Sequence, residues 1–255
     1  MDKMIVAVFE AGMQAAAAGS AMTRLSNTGA CVVYAFAVVV PDDQKNGIVE
    51  FSNRDYADPL LGAATQRLVD LIVHPPTESR AIRSRLAQAG VDQNFLDRIG
   101  RYLLPGKAAV VAEIEEQRTT ALDMLLETHG SVGFRCARRE TCEAEIASAL
   151  NSLRREIQNL QRRLQECPAE SKPELREQLD LSTGRFRSMQ ARARQHAADI
   201  KRETEAKIIS LQVRASHSGD GSKAAIERLL DDVRADYVDR ATKLNLAWQF
   251  AGAPL

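Results

Sequence analysis

Long hydrophobic runs are missing from this 255-residue chain, and so is any excess of one charge. Its apolar start, MIVAVF from Met4 to Phe9, is interrupted by Glu10. That is too short for a signal-peptide core or for a span of about 20 residues. Lys and Arg number 34, equal to Asp and Glu, so the whole molecule offers no electrostatic footprint for nucleic acid or anionic lipid. The balance conceals a mild gradient, with 22 basic against 18 acidic side chains from Phe134 onward and 12 against 16 before it. Four cysteines, Cys31, Cys136, Cys142 and Cys167, are scattered without CxxC spacing, which argues against a disulfide framework. No transmembrane span and a cytoplasmic location are the expectation.

Catalytic motifs are also lacking. There is no GxSxG, no HExxH and no cysteine beside an evident histidine partner. His74, His129, His196 and His217 lie far apart, none with a second histidine or a cysteine four residues on, so no metal and no cofactor is expected. GDGSKAA, Gly219 to Ala225, has Ser before Lys and a helix upstream, and reads as a turn with an N-cap rather than a phosphate loop. Gly90 and Gly100 flank a helix and form no dinucleotide fingerprint. Cys136 and Cys142 straddle a domain junction, where two reduced thiols are favoured over a redox clamp. His196 alone falls on a predicted helical seam, where a polar core residue tuning register is favoured over a pH- or metal-sensitive site. The carboxylates lie where solvated helix faces need them.

What is present begins with a short β-branched strand, MIVAVF. GMQAAAAGSAMTRLSNTG follows as a helix with Met13, Ala16, Ala17, Met22 and Leu25 at helical spacing and a stop at Asn27 and Gly29. Cys31 to Val40 and Gly47 to Ser52 read as a hairpin around PDDQKNG. Asp92 caps a helix with Phe95, Leu96, Ile99, Leu103 and Leu104 on its apolar face. Pro105 and Gly106 stop it before a strand over Lys107 to Ile114. TTALDMLLETHG is a further helix, with Thr120 and Asp123 at capping-box spacing, and SVGFRCA a last strand. The order predicts an α+β fold, a ferredoxin-like antiparallel sheet over residues 1–138 with an extra strand and a helical connector at 58–90.

From 139 to 255 the character changes. Ile146, Leu150, Leu153, Ile157, Leu160, Leu164 and Cys167 alternate steps of four and three, a heptad seam. CPAESKPE breaks it, Ser171 with Glu174 caps a second helix of roughly 65 Å, and Leu175, Leu179, Ser182, Phe186, Met189, Ala193, His196 and Ile200 keep heptad spacing. Thr204, Ile208, Leu211 and Ala215 resume one place later, a stutter. Ser222 caps a third helix carrying Ile226, Leu230, Val233, Tyr237, Ala241, Leu244 and Trp248. An all-α antiparallel three-helix coiled-coil bundle is predicted.

The stretches MIVAVFE, YAFAVVV, LLGAATQRL and, above all, AGVDQNFLDRIGRYLLPGKAAVVAEIEE resemble an uncharacterised bacterial domain-of-unknown-function family often labelled predicted membrane proteins. The resemblance covers about Met1 to Arg138, rests mostly on Gly90 to Glu116, and implies no activity. After the third strand that family carries a long Gly- and Ala-rich apolar hairpin. Here Leu60 to Val73 keeps part of the first arm, with Arg67 and Asp70, while Thr77 to Ala89 holds Glu78, Arg80, Arg83 and Arg85. At about 2.5 to 3.5 kcal/mol per charge at a bilayer centre, such an arm does not span. TESRAIRSRLAQAG reads instead as a short amphipathic helix with Ile82, Leu86 and Ala89 inward.

A non-enzymatic self-assembly protein is the favoured expectation, a homo-oligomer or larger assembly, with the coiled coil also open to a protein partner. The expected seam contacts are Ile146, Leu150, Leu153, Ile157, Leu160, Leu164, Phe186, Met189, Ile200, Ile208 and Leu211, and the expected subunit contact is the stripe Leu61, Leu68, Leu71 and Ile72. An alternative is a membrane or nucleic-acid binder using Arg185, Arg187, Arg192, Arg194, Lys201 and Arg202, although aromatics other than Phe186 are missing there and the charges wind around the helix. A further alternative is a ligand-binding or enzymatic sheet, which the apolar MIVAVF and FAVVV do not favour.

Overall fold

A computed structural model describes residues 2–41, 46–53, 61–73, 82–83, 86–87, 91–104, 106–137 and 141–252. The elements run β1 (Asp2–Phe9), α1 (Gly12–Asn27), β2 (Val32–Pro41), β3 (Asn46–Asn53), α2 (Ala63–Val73), α3 (Gln93–Tyr102), β4 (Ala108–Glu115), α4 (Thr120–Thr128), β5 (Val132–Ala137), α5 (Thr141–Glu166), α6 (Lys172–His217) and α7 (Asp220–Gly252). The fold is α+β. Five strands form one sheet in the order β3-β2-β4-β1-β5, and every neighbouring pair is antiparallel.

Contacts divide the chain into two units. The first is Met1–Arg139 with Glu203–Asp236, and the second is Glu140–Arg202 with Tyr237–Leu255. The helical stretch from 139 onward is therefore not one module. The ends of α6 and α7 nearest their connecting turn belong with the sheet, because their apolar residues pack there.

β1 alternates its side chains between two cores, as its pleat requires. Ile5, Ala7 and Phe9 meet α1 and α4 through Ala15, Ala18, Met22, Leu122 and Leu126. Met4, Val6 and Val8 meet α2 and α3 through Ala64, Leu68, Val69, Phe95, Leu96 and Ile99. A shift in the β2–β4 register between Val33 and Ala35 returns Phe36 and Val38 to the α1 side. Val32 and Tyr34 point away from it, into a third cluster with Leu61, Ala206, Leu211, Ile226, Leu229, Leu230 and Val233. The connector helices and the 203–236 pair thus share one face of the sheet.

Several local expectations change. α1 buries Ala15, Ala18, Gly19 and Met22 and leaves Met13 86% exposed. Small residues set its inner face because the sheet lies so close; a Cβ at Gly19 would stand 3.1 Å from Val38 Cγ2. Asp92 does cap α3, accepting from Asn94 N at 3.1 Å. Leu104 falls beyond the end of α3 and is exposed. No side-chain cap forms at α4, whose cap residue is Thr119, and Asp123 is bonded to Arg135. A 3-10 turn, Ala169–Ser171, leads into α6, and α7 starts at Asp220 rather than after Ser222. Of TESRAIRSRLAQAG only 82–83 and 86–87 are described; these are helical, with Leu86 buried. His74 and the side chains of Cys142 and Trp248 lie outside the described residues.

Gly29 ends α1 with φ at +76°, and a Cβ there would stand 3.0 Å from the Ser222 carbonyl oxygen. Gly106 shares the positive φ but has open space around it. Gly106→Ala should cost about 1 to 2 kcal/mol from backbone strain alone. Gly29→Ala should cost clearly more in urea unfolding, and equal losses would contradict the close approach of α7.

Candidate functional site

Polar side chains gather at three places, the first being the end of β4. In AAVVAEIE, Ala109 and Val111 continue into Glu113 and Glu115 on one face, and both carboxylates are buried. Glu113 accepts from Gly62 N at 3.2 Å, which sets a negative charge against the N-terminus of α2, where the helix dipole favours it. Lys207 of α6, itself buried, lies 3.7 Å from Glu113 and 2.9 Å from Glu203. Its ammonium stands 5.3 Å from the centroid of the Tyr34 ring, a cation–π arrangement. The carboxylates of β4 thus receive α2 and α6 instead of facing solvent, on a strand that is neither one of the solvated helix faces nor part of the apolar MIVAVF and FAVVV that the sequence singles out. The signal was present: two glutamates two residues apart at the end of an apolar strand share its face.

The second place lies on the opposite face. Buried Glu116 takes Lys3 Nζ and Arg135 Nε, each at 2.9 Å, and Arg135 also bonds Asp123. Burial, with the Glu116 charge adding to it, pushes the nearby Cys31 thiol up from 9.0 to about 12, against the opposing charges of Arg214 and Arg135. Such a thiol is no nucleophile. A half-open cavity of about 360 Å³ lies beside Ser26, Asn27, Arg214 and His217. Arg214 there donates to Ser26 Oγ and to the Val33 carbonyl oxygen, both at 2.7 Å, so it ties α6 to α1 and β2.

The third place belongs to the second unit. Glu143 of α5 accepts through Oε1 from Arg240 Nε at 2.8 Å and Nη2 at 2.7 Å. His196 Nε2 of α6 lies 3.2 Å from the same oxygen. Burial works against the charged carboxylate, but the His196 hydrogen bond and the Arg240 charge outweigh it and lower the Glu143 pKa from 4.5 to about 2. One side chain from each of three helices meets here, which gives His196 a positioning partner across the helices. Among the described residues no group of three His, Cys, Asp or Glu is placed to hold a metal ion.

The expected contact residues are placed as follows. Ile146, Leu150, Ile157, Phe186 and Ile200 are buried in one cluster with Ala193 and Leu244, and Leu153 and Met189 pack against it. Leu160 is buried and Leu164 half-buried. Leu211 belongs instead to the first unit, with Ile208 packed beside it. Leu61 and Leu68 are buried in the first unit, and Leu71 and Ile72 pack on its core. These side chains therefore meet partners within their own chain.

Arg185, Arg187, Arg192, Arg194, Lys201 and Arg202 are all exposed, and Arg202 bonds Asp199. With about 100° between successive residues, Arg185 and Arg192 fall one residue before the buried Phe186–Ala193–Ile200 row. Arg187, Arg194 and Lys201 fall one residue after it. The cations therefore flank the buried stripe on both sides rather than forming one face. No helix among the described residues is long and apolar enough to cross a membrane. No protein-family model, curated protein or solved structure matches this chain.

Two outcomes are expected. Lys207→Met should cost roughly 3 kcal/mol by leaving buried carboxylates short of a cation, and adding Glu113→Gln, which keeps the acceptor for Gly62, should restore most of it. Additive losses in urea unfolding would contradict the pairing. Glu143, with its folded pKa lowered, contributes stability above pH 4.5 that is lost as pH falls toward 2, at most roughly 3 kcal/mol. Glu143→Gln should flatten that part of the stability–pH curve, and an unchanged curve would refute the assignment.

Proposed function

We propose that this chain is a non-enzymatic structural protein that assembles with itself, built from a ferredoxin-like head and an antiparallel three-helix coiled coil. The strand order supports the first part. Without the added edge strand β3 it reads β2-β4-β1-β5, the arrangement of a split βαβ pair with α1 and α4 as its helices. The cluster drawn from α5, α6 and α7 supports the second.

One observation carries the structural role. The buried ionisable groups Glu113, Lys207, Glu116 and Glu143 each bond one element of the chain to another. Charged groups held this way fix helices in register. With helices on both faces of the sheet, its edges are the surfaces left for pairing, and assembly is assigned to the head more than to the seam, whose residues are buried in their own bundle. In the same reading the chain is cytoplasmic and works without a cofactor. Light scattering on the full-length protein over a hundredfold concentration range should give a mass above that of one chain. A single-chain mass throughout would overturn the reading.

A further inference from the structure

Resting on the assembly reading above, we propose that the outer edge of β5 pairs with β5 of a second copy, antiparallel and centred on Phe134, joining two five-stranded sheets into one. β5 bonds to β1 along one edge, and among the described residues no strand takes the other. That edge is open: Val132 is 48% exposed, and Gly133 and Ala137 are exposed as well.

Apolar groups border the edge on both faces. Tyr102 at the end of α3 is half-exposed, and its ring centroid lies 5.0 Å from that of Phe134. On the other face α4 packs against β5 and presents Met124, 63% exposed. Two devices that blunt an edge, proline and lysine, are absent from VGFRCA. Its one charge, Arg135, is drawn onto the α4 face by Glu116 and Asp123.

The occupant follows from the strand's own pattern. A two-fold axis through the sheet keeps each copy's faces aligned, so residues of the same parity must oppose one another. Two registers then overlap the strand most. Centring on Arg135 sets two guanidinium groups directly opposite, which is unfavourable. Centring on Phe134 sets Arg135 opposite Gly133, whose lack of a side chain leaves room, and Val132 opposite Cys136. Charge and space thus both select the Phe134 register, and an isologous interface of this kind closes at two chains.

The test uses two full-length variants. Val132→Lys places a charge on the edge, and by light scattering it should raise the dimer Kd tenfold or more while circular dichroism stays as in the wild type. Val132→Cys, treated with copper–phenanthroline in air so that oxygen takes up the two electrons and two protons, should form a disulfide-linked dimer through Cys136 of the second copy, with the cross-link lost when Cys136→Ser is added; this decides the matter if the lysine variant fails to fold. A wild-type dimer that neither substitution affects would overturn the β5 edge and leave the assembly reading standing. A wild-type protein that stays a monomer would overturn both.

Discussion

β4 is buried along its whole length, Ala108 to Glu115, and carries two carboxylates into that burial. A strand buried on both faces needs a layer on each side, and a buried carboxylate needs donors. α1 and α4 supply the first layer. The second is composite: α2 and α3 cover the apolar start of β4, while its acidic end meets Lys207 and the start of α2. Replacing that pairing by apolar contact could match it in energy, but would not fix one helix at one height on the sheet.

The same economy governs the second unit, where Glu143 draws Arg240 and His196 to a single oxygen. Apolar seams tolerate sliding by a heptad, whereas a buried charge met by only one set of donors does not. Buried ionisable groups are common at catalytic sites; here their partners are other elements of the same chain.

Much of this order was legible in local pattern. MIVAVF, the Asp92 cap and the heptad from Ile146 all depend on residues within a turn or two of each other. The shared second layer was not, because Lys207 and Glu113 are 94 positions apart in the chain and nothing near either names the other. One signal did mark it. The heptad of α6 slips by one place between Ile200 and Thr204, next to Glu203, where the helix passes from the second unit to the first. A stutter rotates the apolar stripe, and here the stripe keeps α7 beside it while β2 takes the place of α5. The misplaced face of α1 has a different cause: alanine and methionine stand on both sides of that helix, and only the closeness of the sheet decides which side is buried.

That residues 203–236 are part of the core around β4 is the central claim, and native-state hydrogen exchange tests it most directly. The amides of Ala206 to Leu211 and Ile226 to Val233 should exchange through the same opening event, with the same free energy and denaturant dependence, as those of β1 and β4. Exchange of these amides at a markedly lower free energy, in step with α5 instead of β4, would contradict it.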